Sequence, residues 1–184
     1  MQLDYNSAQE ILHKSTILYN RDEIKEEIQK IAKLIEAEIK DDIPVFLSVM
    51  NGGMFFAAEL LKNINSPLIS DYIHASRYGG ETFGMSHITW YRQPKPEDIR
   101  GKNIYIIDDI LDEGYTLVEI TRYLKSIGAL SCKIVVLINK NIGKAKPIEA
   151  DLIGLNSPNK FLFGYGMDIF GLYRQLPDIY VYNK

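Results

Sequence analysis

The stretch Ile104-Tyr-Ile-Ile-Asp-Asp-Ile-Leu-Asp-Glu-Gly-Tyr-Thr-Leu117 constrains the fold more than any other part of the chain. The apolar run from Asn103 to Ile107 reads as a buried strand that delivers two adjacent acids, Asp108 and Asp109, to its C-terminal end. A turn, Asp112-Glu113-Gly114-Tyr115-Thr116, then opens a helix from about Tyr115 to Ile127, with Gly128 as its terminator. Ligands in open α/β sheets bind at such strand ends. Gly114 permits an unusual backbone angle and a close approach. Several backbone N–H groups and the Thr116 hydroxyl can then converge on one anion, and a helix N-terminus favours phosphate. Carboxylates suit vicinal sugar hydroxyls or a hydrated Mg²⁺. Together these features describe a site for a phosphorylated ribose. The bland alternative is an acidic β-to-α turn with a good helix start. It is outweighed because strand, acid pair, glycine and threonine occur in order.

The flanking segments fit an α/β chain. Ile24, Ile28, Ile31, Ile35 and Ile39 place one apolar stripe on a helix spanning residues 22–40. Ile43 to Met50 suits a buried strand, broken by Asn51, Gly52 and Gly53 before a helix from Met54 to Ile64. Leu68 to Ile73 and Lys133 to Ile138 read as further strands, and Leu152 to Gly154, Phe161 to Gly164 and Ile179 to Tyr182 as shorter ones. Residues 75–103 hold glycine pairs, prolines and mixed polarity around a short strand at Ile88 to Tyr91. A long irregular stretch of this kind is usually functional or mobile. The N-terminal 20 residues read only as helix or interface. Strands alternating with helices favour a parallel sheet with crossover helices.

At 184 residues the chain can bury one sizeable core, and residues 1–184 read as a single domain. With 21 Lys plus Arg against 24 Asp plus Glu, the net charge of -3 carries no strongly basic nucleic-acid footprint. The single cysteine, Cys132, cannot form an intrachain disulfide and points to a reducing compartment. The N-terminus, MQLDYNSAQE, lacks a basic region followed by an apolar run. Apolar runs such as Ile134 to Ile138 are too short to cross a bilayer. A cytoplasmic protein without membrane or nucleic-acid partners is expected. No G-x-x-x-x-G-K-[ST], G-x-G-x-x-G, C-x-x-C or H-E-x-x-H is present. His13, His74 and His87 are widely spread and read as surface or structural residues.

The acidic strand–turn–helix resembles the phosphoribosyl-pyrophosphate motif of type I phosphoribosyltransferases, and the chain from about Val45 to Tyr182 is similar to their hypoxanthine-guanine branch. The resemblance implies a twisted parallel sheet with helices on both faces and a small hood built from the terminal segments. It implies that residues 75–103 form a mobile active-site loop. Ser48-Val-Met-Asn-Gly-Gly-Met-Phe-Phe55 resembles the pyrophosphate loop, so Met50, Asn51, Gly52 and Gly53 would bind pyrophosphate together with Arg174. A non-proline cis peptide is implied between Met50 and Asn51, where the family usually has Lys at the position of Asn51.

For the base, the resemblance gives Lys140 the purine O6. An ammonium is only a donor, so a 6-oxopurine is preferred over adenine. Phe161 would stack on the base, Leu162 would present backbone to its Watson–Crick edge, and Asp168 would complete the purine site. Asp112 would accept or position a proton at N7, the catalytic role. Asp108 and Asp109 would hold the ribose hydroxyls, and Asp112, Glu113, Gly114, Tyr115 and Thr116 the 5'-phosphate. Mg²⁺ is the implied cofactor, with Asp108, Asp109 and Asp168 as its acids. The sequence departs from the family where Glu113 replaces a small hydroxyl residue, where Tyr115 replaces Lys, and where Arg77-Tyr78 replaces Ser-Tyr. The Glu113 side chain is expected to point away from phosphate.

The implied activity is transfer of a 5-phosphoribosyl group to purine N9, giving inosine or guanosine monophosphate and pyrophosphate. A homodimer or homotetramer is implied. A xanthine-guanine preference, orotate transfer, an RNA-binding regulator on the same fold and a non-catalytic subunit stand as alternatives. The purine-edge residues near Phe161 disfavour orotate.

Overall fold

The computed structural model describes residues 4–77 and 88–183, with the side chain of Arg77 outside that description. In chain order the elements are α1 (Tyr5–His13), β1 (Ser15–Tyr19), α2 (Arg21–Glu38), β2 (Val45–Met50), α3 (Gly53–Leu61), β3 (Ile69–Arg77) and β4 (Ile88–Arg92). There follow α4 (Pro96–Ile99), β5 (Asn103–Leu111), α5 (Tyr115–Ser126), β6 (Ser131–Lys140), β7 (Leu152–Ser157), β8 (Leu162–Phe163) and β9 (Ile179–Tyr182).

The main sheet has the order β4-β3-β2-β5-β6-β7. Its strands run parallel except β4, which returns antiparallel along the edge strand β3. The sheet is therefore mixed at one edge rather than wholly parallel. The chain steps outward from β2 to β3 and then, from β5, outward the other way to β6 and β7. The crevice between β2 and β5 is thus the topological switch point, where ligands of open α/β sheets bind.

The apolar runs bury because both faces of the sheet are covered. Side chains alternate along each strand. Phe46, Tyr105, Ile107, Val135 and Leu137 face one core with Ile24, Ile28, Ile31 and Ile35 of α2 and Phe56, Ala57 and Leu60 of α3. Leu47, Ile104, Ile106, Ile134 and Val136 face the other core with Leu117, Ile120 and Leu124 of α5. The isoleucine stripe ends at Ile39, which caps α2. At the other end Asn20 accepts from the Asp22 and Glu23 amides while Glu23 accepts from the Asn20 amide, a reciprocal cap.

The terminal segments build the hood, a three-stranded antiparallel sheet of order β1-β9-β8. Tyr173 ties the hood to α1 through its hydroxyl, which donates to the Ala8 carbonyl at 2.6 Å. No helix among the described residues is long and apolar enough to cross a membrane.

Several boundaries differ from the sequence reading. β5 and β6 are longer than their apolar runs, so Asp108 and Asp109 lie inside β5 and not beyond its end. β3 continues to Arg77, and β4 and α4 give regular structure to parts of 75–103. Polar residues at strand ends extend the ladder by backbone pairing, which hydrophobic patterning does not register.

Candidate active site

A cavity of about 730 Å³ opens at the C-terminal ends of β2, β5 and β6 under the hood. Pairing of β2 with β5 runs from Val45–Ile104 to Ser48–Ile107, and Asp108 and Asp109 lie just past it. Their carboxyl groups are in the cavity wall yet only 9 and 7 % exposed, so they form its deep end. Burial pushes the Asp108 carboxyl well above the usual carboxylate range, and the adjacent Asp109 charge adds to this. Asp109 is also raised by burial, against the pull of its Asp108 hydrogen bond and of Arg174.

Two turns flank the acid pair. On the β2 side the peptide from Met50 to Asn51 is cis, and Gly52 follows. A Cβ built on Gly52 would lie 2.1 Å from Asp109 Oδ2, and one on Gly166 would lie 2.1 Å from the Gly52 carbonyl oxygen. Only glycines let the acid, the turn and the hood close together in this way. On the β5 side Gly114 caps α5 with φ +86°, the left-handed backbone that glycine adopts freely. The Gly114, Tyr115 and Thr116 positions face the cavity at the start of that helix.

The same cavity is lined by the residues read for the base and by Arg174. Lys140, at the end of β6, pairs with Asp112 at 2.9 Å. Phe161 is 49 % exposed beside it, which suits a stacking platform better than a core residue. Leu162 is buried in β8 with its edge at the cavity. Arg174 pairs with Asp168 and donates to the Gly166 carbonyl at 2.6 Å. Asp168 also accepts from the Gly171 amide at 2.7 Å.

The structure thus brings together Met50, Asn51, Gly52, Asp108, Asp109, Asp112, Glu113, Gly114, Tyr115, Thr116, Lys140, Phe161, Leu162, Asp168 and Arg174 around one space. Gly53 does not line it. That residue starts α3 against the Ile107 carbonyl, which a Cβ there would approach to 2.6 Å. Tyr78 and the Arg77 side chain lie outside the described residues. The Glu113 carboxylate is 3.4 Å from the Lys144 ammonium, an interaction with the loop after β6.

Three polar or aromatic wall residues, His74, Ser76 and Tyr91, escaped the sequence reading. His74, read as surface or structural, lines the cavity, paired in register with Met50 and stacked on Tyr91 with ring centroids 4.5 Å apart. Ser76 lies two residues further along β3. His74 and Ser76 both lie in the part of β3 beyond the Leu68 to Ile73 run read as a strand, and nothing local marks which strand borders the switch point.

Among the described residues no group of three or more His, Cys, Asp or Glu side chains is placed to hold a metal ion. Adjacent acids without a closed cage fit Mg²⁺, which usually keeps several waters and binds through one or two carboxylates plus substrate phosphates.

A model of the phosphoribosyl transferase domain matches residues 15–169. The chain belongs to the phosphoribosyltransferase family. It is 34% identical over 166 residues to the hypoxanthine-guanine phosphoribosyltransferase of Bacillus subtilis (strain 168), covering 89% of this chain and 90% of that protein. Over 164 residues it is 34% identical to the hypoxanthine-guanine-xanthine phosphoribosyltransferase of Tritrichomonas foetus, covering 89% of this chain and 88% of that one. The solved hypoxanthine phosphoribosyltransferase of Staphylococcus aureus superposes with a TM-score of 0.86 at 28% identity, covering 98% of this chain and 97% of that one. The fold is that of this family's solved members: a central α/β sheet with a small extra sheet of terminal strands.

Proposed function

We propose that this phosphoribosyltransferase salvages 6-oxopurines, moving a 5-phosphoribosyl group from phosphoribosyl pyrophosphate to purine N9. What supports this reading is that Asp108 and Asp109 line one cavity together with the Met50–Gly52 turn, the Gly114 turn and the Lys140–Asp112 ion pair. The acids take the ribose hydroxyls. The Gly114 turn takes the 5'-phosphate at the start of α5. The Met50–Asn51–Gly52 turn and Arg174 take the diphosphate.

In the reaction the bond from the anomeric carbon to the diphosphate oxygen breaks and a bond from that carbon to N9 forms. The N7 proton of the base passes to Asp112, and pyrophosphate leaves with the bonding electrons. Lys140 donates to O6, so hypoxanthine or guanine is favoured over adenine. Phe161 holds the ring from one side. Fixing both reactants in line supplies up to ~7–11 kcal/mol of the barrier. Asp108, Asp109 and Asp168 are the residues that would hold Mg²⁺, which would supply positive charge for the diphosphate leaving group.

A pyrophosphate-release assay with phosphoribosyl pyrophosphate, Mg²⁺ and each purine tests the reading. Release with hypoxanthine or guanine and little with adenine is expected. Release with none of the purines ends the proposal.

A further inference from the structure

The loop spanning residues 141–151, between β6 and β7, packs against the phosphate turn. Atoms of Ile148 and Pro147 lie 3.0 and 3.7 Å from the place of a Cβ at Gly114. In the same loop the Lys146 ammonium donates to the Leu111 carbonyl at 2.6 Å and to Asn139 Oδ1 at 2.8 Å. The Asn139 amide donates in turn to Asn156 Oδ1 at 3.1 Å. A hydrogen-bonded line therefore runs from β7 through β6 to the last carbonyl of β5.

That carbonyl has particular leverage. The peptide group formed by the Leu111 carbonyl and the Asp112 N–H is planar. Fixing its oxygen orients the peptide that delivers Asp112 and leads into the phosphate-turn amides. A charged donor makes the bond roughly twice as strong as a neutral one. Burial disfavours the charged form of Lys146, while the Asp112 charge supports it and that of Lys140 opposes it. Lys146 is not among the residues at the cavity wall, so its action on the reaction is indirect.

We propose that Lys146 is a positioning residue for phosphoribosyl transfer, anchoring the Leu111–Asp112 peptide so that Asp112 and the following amides meet their targets together. The proposal rests on the function given above. Its test compares wild type with Lys146→Met and Lys146→Arg by steady-state kinetics, thermal melting and amide hydrogen exchange. Lys146→Met is expected to lower kcat/KM ~10–100-fold, the scale of an ångström-sized misplacement. Amides from Asp112 to Thr116 should exchange roughly tenfold faster in that variant, with those of Val118 to Tyr123 unchanged. Lys146→Arg, which keeps the donor, should restore most of both.

Wild-type kinetics in Lys146→Met would overturn the proposal. So would an exchange increase spread evenly through α5, or no recovery with arginine. If wild type makes no nucleotide from any purine, the function fails, and the exchange comparison alone still decides whether Lys146 anchors the turn.

Discussion

The Lys140 ammonium lies 2.9 Å from the Asp112 carboxylate, a cation and an anion from neighbouring strand ends closed on one another. On a 6-oxopurine, O6 and N7 are neighbouring atoms on one edge. A donor beside an acceptor matches O6 beside a protonated N7, the edge that the proposed purine contact presents. Lys140 is the less exposed partner, at 13% against 47% for Asp112.

Asp112→Asn keeps the shape and removes the proton acceptor. Turnover should fall by ~10²–10⁴-fold, the range for a lost general base. Affinity for phosphoribosyl pyrophosphate, measured by calorimetric titration, should stay nearly unchanged. Undiminished turnover takes Asp112 out of the mechanism.

Lys140→Met removes the donor to O6. A hydrogen bond to a charged group contributes about 1.5–3 kcal/mol, so KM for hypoxanthine and guanine should rise ~10–100-fold. The ratio of 6-oxopurine to adenine use should fall with it. Competition between labelled hypoxanthine and adenine measures that ratio directly, and an unchanged ratio would move the O6 contact elsewhere.

Gly52→Ala should damage the diphosphate side, because the new methyl would stand 2.1 Å from Asp109 Oδ2. Either the acid or the turn must shift, and affinity for phosphoribosyl pyrophosphate should drop ~10-fold or more. Gly143→Ala is the matched control. It has φ +72° but open space around it, so it should cost about 1–2 kcal/mol of stability and leave affinity alone. Equal affinity loss in both would show that the Gly52 contact is not the cause.

The buried acid pair has a pH signature. Asp108 has its pKa raised on folding, by burial first and the Asp109 charge second. The folded state therefore holds a proton that the unfolded chain releases near its ordinary value of about 3.9. That contribution to stability is complete below the unfolded value and is lost as pH rises through the folded one. Asp108→Asn removes the cost of ionising the group, so at neutral pH it should melt at a higher temperature than wild type. The gap should narrow as pH falls toward 4, and melting curves at several pH values check it. A variant less stable at every pH would contradict the burial argument.

Local patterning carried much of the fold. The Ile24 to Ile35 stripe forms α2 because four residues of one type at helical spacing leave one face to bury. The turn at Gly114 was legible for a similar reason, since its glycine and the following helix start lie within a few residues. The N-terminal 20 residues read only as helix or interface, and β1 was missed because it is a strand only through its pairing with β9, some 160 residues away in sequence. The same limit hid His74 and Lys146. One becomes a wall residue when β3 lies beside β2, the other an anchor when the loop after β6 folds back on β5. Resemblance to a known family located Lys140, Phe161 and Arg174, for which residue type alone favoured surface or core.

The most direct measurement is a crystal structure with guanosine monophosphate. The account predicts the 5'-phosphate within hydrogen-bond distance of the Gly114, Tyr115 and Thr116 amides, ribose hydroxyls on Asp108 and Asp109, and guanine between Phe161 and the Lys140–Asp112 pair. A nucleotide bound with its phosphate away from that turn, or with its ribose clear of the two acids, would contradict it.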